Sequence, residues 1–135
     1  MKLFIDNNLP HALAKALHEL SEPRYHEVWH LKDMFDAATP DHEWINALAE
    51  QSHWVIVTQD RLKKNDLEKQ ALRKSKLTAF FLKKAWADQP YWEKAWHLTR
   101  WWPRIIEQAD RVEPGASFHV PLQFSGKGRF EQFNY

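Results

Sequence analysis

The chain of 135 residues contains no cysteine, which excludes a disulfide framework and a thiolate metal site. It has no apolar run long enough to cross a bilayer, and its first residues, Met1 to Asn7, lack the apolar core of a secretory signal. The expected compartment is therefore the cytoplasm, with no membrane partner. Internal repeats and low-complexity tracts are also missing. The length fits one domain with a sizeable core and leaves little room for a second. The formal net charge is only +1, so overall charge selects no class of partner. Aromatic residues, by contrast, are plentiful: eight Trp and eight Phe supply apolar surface for a core or for a partner. Charge is also uneven along the chain, since nine Lys or Arg stand against two acids between Arg61 and Lys84.

The hydrophobic pattern alternates between short runs and helical periodicity. Leu3 to Asp6 reads as a strand that ends in a carboxylate, followed by turn residues and Pro10 near a first helical turn. Leu9, Leu13, Ala16, Leu17 and Leu20 then recur at helical spacing. Glu27 to Leu31 reads as a strand, and 32–39 as a polar loop. Thr39, Pro40, Asp41 and Glu43 form a helix start with acids where the helix dipole favours them. Trp54 to Val57 is an unbroken β-branched and aromatic run, as expected of a central strand covered on both faces, and it delivers Asp60 just beyond its end. Asn65 with Glu68 three residues on predicts the start of a basic helix to about Lys74. A fourth strand is expected at Leu77–Leu82, then a helix with a Trp92, Ala95, Trp96, Thr99, Trp102 stripe that Pro103 breaks or kinks. A short strand at 117–120 and a loose or partner-ordered tail over 125–135 complete the expectation. The fold class is thus α/β with a mainly parallel central sheet flanked by helices, over residues 1–112, and a C-terminal extension over 113–135.

In a parallel α/β sheet the carboxyl ends of the strands and the starts of the following helices share one edge. Asp6, Asp60 and the pair Asp41 and Glu43 all map there. Carboxylates held close repel unless a cation lies between them, and hard oxygen ligands with no Cys point to Mg²⁺ or Mn²⁺. Such a site activates a water and clamps a phosphate. Taken singly, Asp6 and Asp60 are equally ordinary turn residues and Asp41 an ordinary helix-start residue. Their agreement at one edge favours the site.

Four segments in order then carry a resemblance: Asp6 to Pro10, the strand His26 to Leu31, Thr39 to Ile45, and Val57 to Asp60. Together they resemble PIN-like domains related to the toxin ribonucleases of bacterial toxin–antitoxin pairs, most specifically over the first half of the chain. The resemblance implies a single PIN-like domain with metal-dependent endoribonuclease activity. Asp6 would be the first-strand acid, Asp41 or Glu43 the helical acid, and Asp60 the acid of the Thr-x-Asp turn. Asp6, Asp60 and Asp41 would hold the cation, directly or through water, and Asn7 would orient Asp6 or the metal's water shell. An RNA substrate and an antitoxin protein are the implied partners, with homodimerisation left open. One departure is visible: where the family commonly carries a fourth acid after the next strand, Leu82 is followed by Lys83 and Lys84.

Arg61, Lys63 and Lys64, beside Asp60, together with Lys83 and Lys84, are the candidate RNA-phosphate contacts, although a solvated helix face accounts for the rest of the basic segment. Three rivals stand beside the nuclease. The first is a non-catalytic PIN-like RNA- or protein-binding module, and the second a phospho-acceptor domain using Asp60. The third is a zinc site at His26-Glu-Val-Trp-His30, which matches HExxH but falls on a predicted strand and has no third ligand at a recognisable spacing.

Overall fold

The computed structural model describes residues 1–51 and 53–135. Six strands form one sheet in the order β2-β1-β3-β4-β5-β6. They are β1 (Lys2–Ile5), β2 (Glu27–His30), β3 (Trp54–Thr58), β4 (Thr78–Leu82), β5 (Ser117–Val120) and β6 (Glu131–Phe133). The first five run parallel, while β6 pairs antiparallel with β5. The helices are α1 (His11–Ser21), α2 (Leu31–Met34), α3 (Asp41–Gln51), α4 (Asp66–Ser75) and α5 (Tyr91–Arg111). This is the expected α/β class, with a mostly parallel sheet flanked by helices.

Strand alternation sorts the core into two layers. Leu3, Ile5, Val55, Val57 and Phe80 pack with Leu13 and Leu17 of α1 and Leu98, Trp101 and Ile105 of α5. Phe4, Trp54, Ile56 and Ala79 face the other way, onto Trp44, Ile45 and Leu48 of α3 and Ala71 and Leu72 of α4. All five residues of β3 are buried, as their unbroken apolar run requires. Because β1 and β3 pair Phe4 with Ile56 and Ile5 with Val57, the next step along both strands brings Asp6 opposite Thr58. Both belong to the α3/α4 face by the same period-2 rule.

Several expectations are corrected. The stretch from Lys32 is not wholly loop: α2 occupies Leu31–Met34, capped by the His30 side chain accepting from the Lys32 N–H and by Asp33 accepting from the His30 N–H. Pro103 does not end the fifth helix, which runs through it to Arg111. The carbonyl that Pro103 leaves without an N–H partner belongs to Thr99, which is exposed and open to water. The buried stripe of α5 is Leu98, Trp101, Trp102 and Ile105, whereas Trp92 and Trp96 are 80% and 60% exposed.

The tail over 125–135 is a further correction: it is not loose, since it folds back and adds β6 to the sheet. Phe130 packs against Phe80, Phe118 and Trp101. Arg104 donates from Nε to the Gly128 carbonyl at 2.8 Å. Its guanidinium also lies 4.8 Å from the Phe130 ring. Long-range aromatic packing holds the segment, a force that Gly- and Ser-rich composition conceals.

Candidate active site

The carboxyl ends of β1 and β3 meet as the register dictates. The Thr58 hydroxyl donates to Asp6 Oδ2 at 2.9 Å, and the Asp60 N–H donates to the Thr58 oxygen at 3.0 Å. The Asn7 backbone N–H donates to Asp6 Oδ1 at 2.6 Å, so Asn7 orients Asp6 through its main chain. Asp6 is 4% exposed. Burial, with a smaller contribution from the charges of Asp41 and Asp60, raises its carboxyl to about 6 against the opposing bonds from Thr58 and Asn7. Asp60 closes the turn by accepting from the Leu62 N–H at 3.0 Å. Leu62 adopts the left-handed region at φ 55° and plugs its side chain fully into the α3/α4 core. Burial thereby offsets a strained backbone and fixes where Asp60 points.

A cleft of about 440 Å³ opens at this edge, and Asp6, Asp41, Asp60, Lys64 and Glu68 all line it. Asp41 comes from the first turn of α3, where its Oδ1 accepts from the Trp44 indole N–H at 2.9 Å. Glu43, the other helical candidate, is exposed and does not line the cleft. Glu68 is the residue that sequence reasoning assigned only to the start of α4. Asn65 Oδ1 does accept from the Glu68 N–H at 3.0 Å, but the Glu68 carboxylate turns back to accept from the Lys64 N–H at 2.8 Å. Glu68 is 5% exposed. Burial raises its carboxyl above the usual range, and Asp41 and Asp60 add to the effect. A signal was present: Glu68, Ala71 and Leu72 share the i, i+3, i+4 face that packs on the core, so an acid lies on an apolar stripe. Glu68 thus supplies a fourth carboxylate from a helix, although Lys83 and Lys84 follow β4.

Residues 1–84 match the family model of the PIN like domain. The chain belongs to the PIN-like domain family. Its α/β fold is therefore of a nuclease type, and β5 and β6 lie beyond the matched residues. Searches of curated proteins and of solved structures returned no match.

The cations of this PIN-like domain divide between two sides of Asp60. Lys64 Nζ lies 3.4 Å from Asp60 Oδ2, and the charges of Asp60 and Asp41 hold its ammonium above the usual lysine range. Arg61, Lys63, Lys83 and Lys84 line a second, adjoining pocket. The HExxH histidines sit apart. His30 ends β2 with Nε2 donating to the Leu9 carbonyl at 2.8 Å and Nδ1 accepting from Lys32, so both ring nitrogens are engaged. Burial depresses its basicity. Among the described residues no three His, Asp or Glu side chains stand close enough together to hold one ion. No described helix is long and apolar enough to cross a membrane.

Proposed function

We propose that this PIN-like domain is a metal-dependent endoribonuclease that hydrolyses RNA phosphodiester bonds in the acidic cleft and serves as the toxin of a toxin–antitoxin pair. The observation that carries the reading is the placement of Asp6, Asp41, Asp60 and Glu68 around one cleft at the carboxyl edge of a parallel sheet. Four carboxylates from four separate segments repel one another, and two of them have raised proton affinities as a result of burial and mutual charge. An arrangement that costs stability in this way suits a divalent cation.

The donor set fits Mg²⁺ or Mn²⁺ in chemistry: all hard oxygens, with no thiolate and no free imidazole pair. Asp6, Asp41, Asp60 and Glu68, which do not close on a single point as placed, would hold a hydrated cation through its water shell, and it would supply charge neutralisation at the phosphate and an activated water. The protein's own part is positional. Thr58 and the Asn7 N–H fix both oxygens of Asp6, while the Asp60 turn is locked by Thr58 behind it and Leu62 ahead. Arg61, Lys63, Lys83 and Lys84 would attract the RNA backbone beside the cleft. The toxin role and the antitoxin partner rest on family resemblance.

One observation favours a second reading, a non-catalytic RNA- or protein-binding module. The Lys64 ammonium already lies among the carboxylates, and they do not close on a single point. The two readings separate in one assay, cleavage of single-stranded RNA by wild-type and Asp60→Asn protein with Mn²⁺, Mg²⁺ or EDTA. The nuclease requires activity that depends on both metal and Asp60. RNA affinity without cleavage, insensitive to chelator and to Asp60→Asn, supports the module.

A further inference from the structure

The second pocket, of about 480 Å³, shares Asp60 with the acidic cleft and lies on the side away from Asp6. Its size is within the roughly 300–1,000 Å³ of small-molecule sites. The C-terminal segment builds much of its wall. Tyr135 stacks on Phe81 with ring centroids 5.7 Å apart and planes at 14°, and Phe133 stacks on His119 at 3.9 Å and 10°. The Tyr135 hydroxyl donates to the Leu62 carbonyl, so the aromatic wall is tied to the turn that positions Asp60. Lys63 Nζ lies 4.8 Å from the Tyr135 centroid and 5.9 Å from that of Phe133. Arg61, Lys84 and Lys83, the last paired with Glu131 at 2.9 Å, complete a cationic lining whose one acid is Asp60. Gln59 also lines the pocket, and its Oε1 is enclosed without a hydrogen-bond partner. An unpaired buried acceptor is costly in a folded protein and marks a place where a partner is missing.

Aromatic faces inside a cationic pocket suit a ligand that is planar at one end and anionic at the other. Free nucleotides and single-stranded RNA have that chemistry, whereas a paired base cannot leave its stack to enter. We infer that this pocket, formed by Phe133, Tyr135, Phe81 and His119 with Lys63 and Lys84, is a subsite for one unpaired RNA base beside the acidic cleft in which the scissile phosphate would lie. The inference rests on the proposed RNA substrate and adds a selection for single-stranded RNA made by the C-terminal segment. Stacking supplies affinity with little preference among bases, and Lys84 and Arg61 take the flanking phosphates.

The test is binding in EDTA, where cleavage is off. Fluorescein-labelled single-stranded RNA of eight nucleotides, the same sequence as a duplex, and inorganic polyphosphate are titrated onto the full chain. The variants are Phe133→Leu/Tyr135→Leu, which keeps apolar bulk but removes the π faces, and Lys84→Ala; thermal melts establish that each is folded. The subsite predicts that the leucine pair weakens single-stranded RNA roughly tenfold or more while leaving polyphosphate unchanged. Lys84→Ala should weaken both. Equal loss of both ligands in the leucine pair, no loss of either, or duplex binding as tight as single-stranded binding would overturn it. Should the leucine pair melt early, His119→Leu, which removes one π face and leaves Phe133 and Tyr135 in place, provides the same comparison on a retained wall. Parallel cleavage in Mn²⁺ separates the two failures: binding as predicted without cleavage sinks the nuclease and leaves the subsite, and cleavage with unselective binding does the reverse.

Discussion

Replacing Asp6 by Asn should make the protein more stable, by a margin that grows from about pH 4 and levels off above about pH 6. Asp6 is almost fully enclosed, and its carboxyl is raised from 3.8 to about 6. In the unfolded chain it loses its proton near the ordinary value, so between about pH 4 and 6 the folded chain binds more protons than the unfolded one. The contribution of this group to stability therefore falls as pH rises through that window and stays at its lowest above it. At ~1.4 kcal/mol per tenfold change in proton affinity, the ionised carboxylate costs the fold about 3 kcal/mol at pH 7.5. Asn is nearly isosteric and its carbonyl still accepts one of the two hydrogen bonds, so Asp6→Asn should gain about 1–3 kcal/mol at pH 7.5 and close to nothing at pH 4. Urea unfolding of both proteins in EDTA, from pH 4 to 7.5, measures the difference and cancels the titrating groups away from the cleft. A variant less stable than wild type at pH 7.5, or an offset that does not change with pH, would refute the argument that burial and neighbouring charge raise Asp6. Such a gain is the usual counterpart of a polar site held against its own stability.

Further outcomes follow from the same geometry. Saturating Mn²⁺ should raise the melting temperature of wild type and raise it less in Asp6→Asn, because the cation offsets a repulsion that the variant lacks. Lys64→Ala removes the ammonium 3.4 Å from Asp60, and Mn²⁺ affinity read by electron paramagnetic resonance should rise several-fold; an unchanged or weaker affinity would mean that Lys64 does not compete for the cleft. Gly128→Ala should cost about 1–3 kcal/mol in thermal unfolding. Gly128 sits at φ 85°, and a Cβ there would meet the Phe124 ring at 2.7 Å. Trp101→Ala should cost about 3–5 kcal/mol, whereas Trp92→Ala should stay within about 0.5 kcal/mol, since one is enclosed and the other 80% exposed.

The parts of the fold legible in the sequence are those set by local pattern. The unbroken run Trp54–Val57 needs two apolar faces, and helices on both sides of a parallel sheet provide them. That topology alone placed Asp6 and Asp60 at a common edge, and the observed Asp6–Thr58–Asp60 bonds follow from strand register. Glu68 was concealed because one residue does two things: its N–H receives the Asn65 cap while its carboxylate faces the cleft, and the cap pattern accounts for its position without the second role. Only its place on the Ala71–Leu72 stripe distinguished it. Which part of the α5 stripe turns to the core was not legible. Both Trp96 and Trp102 keep helical spacing, and which of several adjacent Trp faces the sheet is decided by partners distant in sequence, such as Ser21 accepting from the Trp102 indole at 3.0 Å. The tail was the least legible. Phe133 and Tyr135, two apart and so on one side of a strand, were the signal, but a three-residue strand has meaning only against β5.

The most direct measurement of the central claim is single-turnover cleavage of a short single-stranded RNA in Mn²⁺ by wild type, Asp60→Asn and Glu68→Gln, each repeated in EDTA. Wild type should cut in Mn²⁺ and stop in EDTA. Asp60→Asn should be inactive, and Glu68→Gln should be slower by tenfold or more while its melting temperature is kept, because glutamine can still accept from the Lys64 N–H. Cleavage that persists in EDTA, or that is indifferent to both substitutions, would contradict a metal-dependent site at this cleft.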